Sequence, residues 1–271
     1  MSSDRHELEQ IAKSIRAKVV ELSHRGATAH LGSSLSCVDI LVAAYWGGLN
    51  LGPESFASPT RDRLLLSKGH GATTLYAVLA KRGHFAAQLL DDYAQPGSLL
   101  AEHPSPGLPG IEIASGSLGH GLPIGVGMAV ASRILGHKQR VIVVMSDGEC
   151  NEGSVWEAAM FAPIQQLDNL LVVIDYNKWQ ATGRTNEVMA LDPLAEKWRA
   201  FGWDAAEIDG HDVAALAAAL SAAPSGGKPR ALIAHTVKGK GVSFMEDDNN
   251  WHYRIPNADE FRRAVAELEA A

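Results

Sequence analysis

Asp147 and Asn177 are the residues whose types and spacing first suggest chemistry. A carboxylate and a side-chain amide oxygen 30 residues apart are hard donors, and backbone carbonyls beyond Asn177 can add to them. That set suits a Mg²⁺ that keeps water and completes its octahedron with phosphate oxygens. Gly148 lets the backbone come close to an anion, and a helix starting near Glu152 or Gly153 would aim free N–H groups at the same place. Metal and helix end would then hold a diphosphate together. Asp-Gly alone is a common turn dipeptide. Its combination with Asn177, across Glu152, Gly153, Trp156, Glu157 and Asn169, is what carries the chemistry.

The elements that must position this pair are short. Runs 141–145 and 170–174 are continuous, apolar and β-branched, as expected of strands covered on both faces of a parallel sheet. Between them Val155, Ala158, Ala159, Ala162 and Leu167 recur near helical spacing, which completes a right-handed βαβ unit. Asp147 and Asn177 therefore fall just past the carboxyl ends of neighbouring strands, where open α/β sheets bind ligands. The predicted fold is α/β, a parallel sheet flanked by helices on both faces, with residues 1–271 as one domain.

Other segments fit that frame. Leu8, Ile11, Ile15, Val19 and Leu22 mark one face of a helix over 4–26, with Gly26 as its stop. The turn His30-Leu31-Gly32 leads into a helix that Ser34 or Ser36 could cap. A strand over 63–67 passes through Lys68-Gly69-His70-Gly71 into a helix reaching Leu79. His70 lies between two glycines at the ligand edge of the sheet, exposed and free to hydrogen-bond, although a lone histidine is usually structural. Gly116, Ser117 and Leu118 form a loop before a helix, able to present backbone groups to a flat heterocycle. Gly125 and Gly127 suggest close helix packing. Later strands are expected near 204–208 and 229–236, with Ser225-Gly226-Gly227 as a loop and Asn257 or Asp259 capping a final helix.

Several function classes are excluded. Gly119-x-Gly121 and Gly125-x-Gly127 follow no buried strand, so they are not a dinucleotide fingerprint, and residues 237–241 lack the spacing of a nucleotide-hydrolase phosphate loop. A chain of 271 residues with 46% hydrophobic and 20% charged residues can bury a sizeable core. A net charge of −7 with scattered Lys and Arg argues against nucleic acid. Cys37 and Cys150 form no CxxC pair, so neither a disulfide framework nor a zinc site is indicated. No apolar run approaches a membrane span of about 20 residues, and the expected location is cytoplasmic.

An ordered series of segments resembles transketolases along nearly the whole chain: AHLGSSLSCVDIL, LSKGHGATTLYAVLA, EHPSPGLPGIEIASGSLGHGL, SDGECNEGSVWEAA, DYNKWQATGRTNEV, PLAEKWRAFGWDAAEIDGHD and HTVKGKGVSFMEDDNNWH. The resemblance implies thiamine diphosphate as cofactor, with Mg²⁺ (Ca²⁺ or Mn²⁺ as substitutes) held by Asp147, Asn177 and the backbone carbonyl of Trp179, and Gly148 at the diphosphate. It implies that His70 and the loop of Gly116, Ser117 and Leu118 contact the thiamine, and that His30 and His103 line the substrate channel. Glu152 would join an acidic relay across a subunit interface, or be a helix N-terminal charge favoured by the dipole. His252 resembles a late histidine near the cofactor. Two departures stand out: Ser146 replaces the usual glycine before the aspartate, which tightens the turn's φ requirement, and Tyr253-Arg254 replaces a small residue.

Full-length transketolases continue into a pyrimidine-binding domain and a third domain, and the resemblance here is to the part that precedes them. The resemblance is therefore to the N-terminal subunit of a split transketolase. It implies a C-terminal partner carrying the pyrimidine-binding domain, an α2β2 assembly, and transfer of a two-carbon ketol unit between sugars or sugar phosphates. The alternatives are the alpha subunit of a 2-oxo acid dehydrogenase, and a non-catalytic cofactor-binding interaction subunit. An exposed apolar patch that includes Leu118 and Met160 is expected where the partner docks.

Overall fold

The computed structural model describes residues 5–50, 58–223 and 226–270; Asp4 and Ser225, assigned from sequence to a helix start and a loop, lie outside them. Among the described residues five strands form one parallel sheet: β1 (Arg63–Leu66), β2 (Val141–Ser146), β3 (Leu170–Tyr176), β4 (Asp204–Asp209) and β5 (Arg230–His235), in the order β1-β2-β3-β5-β4. β2 and β3 lie side by side, with Ser146 opposite Asp175. Their burial is complete on both faces, which explains why they read as unbroken apolar runs. β4 at the edge is largely exposed, with only Ala205 buried.

Helices cover both faces. α1 (Arg5–Gly26), α2 (Leu31–Ser36), α3 (Val38–Ala43), α4 (Ala72–Lys81), α9 (Val213–Ser221) and α10 (Ala258–Ala270) pack against Ile142, Val144, Leu171 and Val173. α5 (Gly121–Ile134), α6 (Gly153–Ile164) and α8 (Leu194–Ala200) pack against Val141, Val143, Leu170 and Val172; the short α7 (Thr185–Val188) leads toward α8. The strict alternation along each strand follows from the two-residue period of its side chains, and each Val, Leu or Ile so buried contributes about 1.5–3 kcal/mol. No described helix is long and apolar enough to cross a membrane. Both cysteines are buried free thiols, and burial pushes that of Cys37 up to about 11.

Local chemistry corrects several expectations. Ser34 and Ser36 do not cap α2; they lie inside it, and the cap position belongs to His30, in a left-handed conformation with φ 66°. The final helix is capped by Asn257, whose Oδ1 accepts the amides of Asp259 and Glu260, while Glu260 accepts the amide of Asn257, a reciprocal capping box. Gly125 does pack closely, since a Cβ there would lie 2.6 Å from Val143, but at Gly127 a Cβ would meet nothing within 4 Å. α6 is apolar nearly all round: Val155, Ala158, Ala159 and Ala162 are buried, while Met160, Phe161 and Ile164 stand exposed.

Candidate active site

The site is built at the carboxyl ends of β1, β2, β3 and β5. Asp175, two residues before Asn177, is fully buried and accepts from Lys68 after β1, from Ser36 in α2 at 2.6 Å, and from Thr236 after β5. One carboxylate thus joins three remote segments. Burial disfavours the Lys68 cation, yet the Asp175 carboxylate holds the Lys68 pKa above its ordinary value. Such a pair is costly to break, because the survivor is a charge buried without a partner.

Asp147 lies beneath the cleft wall, fully buried, and accepts from the Gly148 amide at 2.9 Å, the Lys178 amide at 2.9 Å and the Thr185 hydroxyl at 2.8 Å. Burial pushes it up to about 6, so three hydrogen bonds do not compensate its charge and the geometry suits an added cation. The Asn177 Oδ1 accepts the Trp179 amide at 3.0 Å. Among the described residues no group of three or more His, Cys, Asp or Glu is placed to hold a metal. Asp147, the Asn177 amide oxygen and the Trp179 carbonyl are oxygen donors, the ligand type that Mg²⁺ takes. Next to Gly148 the Gln180 side chain packs within 3.2 Å of a notional Cβ, and its Nε2 is buried without a hydrogen-bond partner. A buried donor left unpaired is costly, and an anion at Gly148 would satisfy it.

The turn between Asp147 and α6 is not a bare helix end. Residues 148–151 form a 3₁₀ turn before α6 begins at Gly153. The Gly148 and Glu149 amides are already given to Asp147 and to Ser146 Oγ. Ser146 carries no φ strain, because it is the last residue of β2 and is not among the positive-φ residues. Glu149, buried and raised above the usual carboxyl range by that burial, accepts from Ser67, from the Gly119 amide at 2.9 Å and from the Ser146 amide. It anchors the loop before α5.

Across the cleft stand the histidines. Their ring centroids are 5.5 Å apart for His30 and His70, 5.9 Å for His30 and His103, and 5.1 Å for His30 and His252. The cleft, of about 410 Å³, is lined by these four with Gly116, Leu118, Gly148, Glu152, Asn177 and Trp179. His70 faces the cleft half-buried rather than standing exposed. Burial lowers the pKa of His30, lowers that of His70 well below its ordinary value, and takes His252 down to about 3. These rings are neutral near pH 7, able to accept a proton or orient a hydroxyl. His30 Nδ1 lies 3.3 Å from Glu102, without hydrogen-bond geometry. Glu152 is exposed at the rim. Ser117 is exposed and outside the wall, so Gly116 and Leu118 alone represent their loop there. The floor is tight: a Cβ on Gly69 would meet the Gly116 amide at 2.6 Å, and one on Gly116 would meet His103 at 2.7 Å.

Lys238 was missed from sequence, where residues 237–241 carried no role. Its side chain is buried behind the cleft wall and donates to Asn249 at 2.7 Å and to the wall residue His252, at Nδ1, at 2.9 Å. Burial, assisted by the Lys68 cation, lowers it to about 8. The signal that could have found it is the strand before it, since it follows β5 as Asn177 follows β3.

The match to known proteins covers almost the whole chain. The transketolase thiamine diphosphate binding domain matches residues 8–268. The chain is 42% identical, over 97% of its length and 96% of the relative's, to one subunit of the apulose-4-phosphate transketolase of Actinobacillus succinogenes. It is 41% identical, over 99% of its length and 98% of the relative's, to a 6-deoxy-6-sulfo-D-fructose transketolase subunit of a Clostridium species. The transketolase of Campylobacter jejuni superposes with a TM-score of 0.88 at 25% identity, covering 97% of this chain but only 42% of the larger one. The chain therefore belongs to the transketolase family and carries its thiamine diphosphate binding domain.

Proposed function

We propose that this chain is the diphosphate-binding subunit of a two-subunit transketolase that moves a two-carbon ketol unit from a ketose to an aldose. The observation that carries the reading is the pairing of Asp147 and Asn177, on adjacent strand ends, with a wall of histidines across one cleft. Asp147, Asn177 and the Trp179 carbonyl hold Mg²⁺, or Ca²⁺ or Mn²⁺ in its place. Gly148 and Gln180 meet the diphosphate, and Lys238 adds a cation on the opposite side. His70, His252, Gly116 and Leu118 face the thiamine. When bound, thiamine diphosphate would supply the nucleophilic carbon and the electron sink that ketol transfer needs.

The protein's share is orientation and proton transfer. His30 and His103 hydrogen-bond the sugar hydroxyls and exchange protons with them, as imidazoles can. The substrates are sugar phosphates or similarly anionic sugars, because one relative acts on apulose 4-phosphate and another on a sulfonated fructose. The second subunit supplies the pyrimidine-binding domain and covers the exposed Met160, Phe161 and Ile164 of α6, since a helix apolar on all sides needs a partner. Glu152 at the rim belongs to that contact, in a cytoplasmic α2β2 assembly.

The test is a titration of thiamine diphosphate with and without Mg²⁺ into wild type and Asp147→Ala, followed by a ketol-transfer assay on mixing with the candidate second subunit. Loss of Mg²⁺-dependent affinity in the variant, and activity that appears only on mixing, are expected. Unchanged affinity would remove the metal site, and full activity of the chain alone would remove the two-subunit reading.

A further inference from the structure

The metal loop is gripped from the far side of the cleft. Residues 178–184 run from Asn177 to α7, and the Trp179 indole donates to Asp247 Oδ1 at 2.8 Å. Arg184 donates to both oxygens of the same carboxylate, each at 2.6 Å, and its guanidinium stacks 3.8 Å from the centroid of the Trp179 ring. The Arg184 hydrogen bond holds the Asp247 carboxyl below its usual range. The backbone of Asp247 faces the other way: its amide donates to the Lys238 carbonyl at 2.8 Å. That conformation has φ 59°, unusual for a residue with a side chain. Asn249 repeats the pattern, accepting from Lys238 and donating to the Ala181 carbonyl at 3.2 Å.

Thermal stability is a poor account of this arrangement. The Asp247 side chain is 54% exposed and that of Arg184 35%, and exposed ion pairs contribute about 0–1 kcal/mol. What the bidentate fork and the stacked ring do supply is direction. They set where the Trp179 backbone lies relative to Lys238.

We propose that Asp247 is a positioning residue that ties the metal loop to the loop carrying Lys238, fixing the Trp179 carbonyl at its metal-binding height. The inference rests on the reading of Asp147, Asn177 and Trp179 as the metal site. Residues that orient metal ligands from behind typically contribute roughly 10–100-fold to affinity. Asp247 acts with Arg184 as one unit, so removing both costs no more than removing either.

The experiment measures Mg²⁺-dependent thiamine diphosphate affinity by calorimetry on the full chain, for wild type, Asp247→Ala, Arg184→Ala, the double variant, Asp247→Asn and Asp147→Ala. Amide hydrogen exchange without cofactor is followed at Gln180 and Thr185, whose amides close the loop at 2.9 and 3.0 Å. About 10-fold weaker affinity in both single variants and the double alike is expected, with a smaller loss in Asp247→Asn and faster exchange in Asp247→Ala. Unchanged affinity in Asp247→Ala and Arg184→Ala, while Asp147→Ala loses it, overturns the positioning role and leaves the metal site standing. Losses that add in the double variant overturn the coupling. If Asp147→Ala itself binds normally, the metal site fails, and the proposal falls with it.

Discussion

The Asp147–Asn177 side of the cleft and its histidine wall are held by different means. Asp147 and Asn177 sit at the ends of β2 and β3, whose ladder of parallel pairs fixes their separation. His30, His70, His103 and His252 come from four segments far apart in sequence, and loops bring them together. The His30 amide reaches the His252 carbonyl at 2.8 Å, and Lys238 touches His252. A wall on strand ends is set by the core. A wall on loops is set by polar bonds near the ligand, where stability is more readily traded for function.

The largest expected effect separates the two walls directly. His30→Ala, His70→Ala or His103→Ala should lower turnover of the reconstituted enzyme by roughly 10²–10⁴-fold, with melting temperature little changed and Mg²⁺-dependent cofactor affinity near wild type for His30→Ala and His103→Ala. A fall in stability without a fall in turnover per folded molecule would make the histidine wall a packing device.

Next is the joint the walls share. Asp175→Ala leaves the Lys68 cation buried without its counter-ion, held by the Ser33 carbonyl at 2.9 Å, and urea denaturation should show about 3–5 kcal/mol of lost stability. If the midpoint hardly moves, the Lys68 charge does not depend on Asp175 and the walls are not joined through β3.

The smallest effect is a slope in pH. Lys238 is lowered from an ordinary 10.5 to about 8, so between those values the folded state binds fewer protons than the unfolded one. Stability therefore rises with pH across that window, by at most about 3 kcal/mol, and the cost of the buried cation is fully present below it. Lys238→Met should abolish the rise, measured as denaturation midpoints from pH 7 to 10.5. A variant with the same slope as wild type would place the titrating group elsewhere.

How legible each wall was follows from its construction. Runs 141–145 and 170–174 announce buried strands, and position just past a strand end is enough to single out Asp147 and Asn177. The flanking helices, the order of the elements and a cap at Asn257 or Asp259 were readable for the same reason, as local periodicity and capping. Lys68, Asp175, Glu149 and Lys238 were not. Their roles come from Ser36, Ser67, Gly119 and Asn249 meeting them across more than one element, and no local pattern encodes a long-range polar contact. Ser117 is singled out in sequence with its neighbours Gly116 and Leu118, which line the cleft, while Ser117 is exposed outside that wall.

The back-to-back approach of Gly69, Gly116 and His103 has a bearing on how such a pocket diversifies. A floor with no room for one more methyl group cannot be recontoured by stepwise substitution, because the first step already collides with backbone at Gly69 or with the His103 ring at Gly116. Novelty in sugar preference must then enter from the margin, at Ala181, Thr182 and Tyr253, where side chains face open space. Libraries built on those three positions should yield folded, cofactor-competent variants far more often than libraries of equal size built on the glycines.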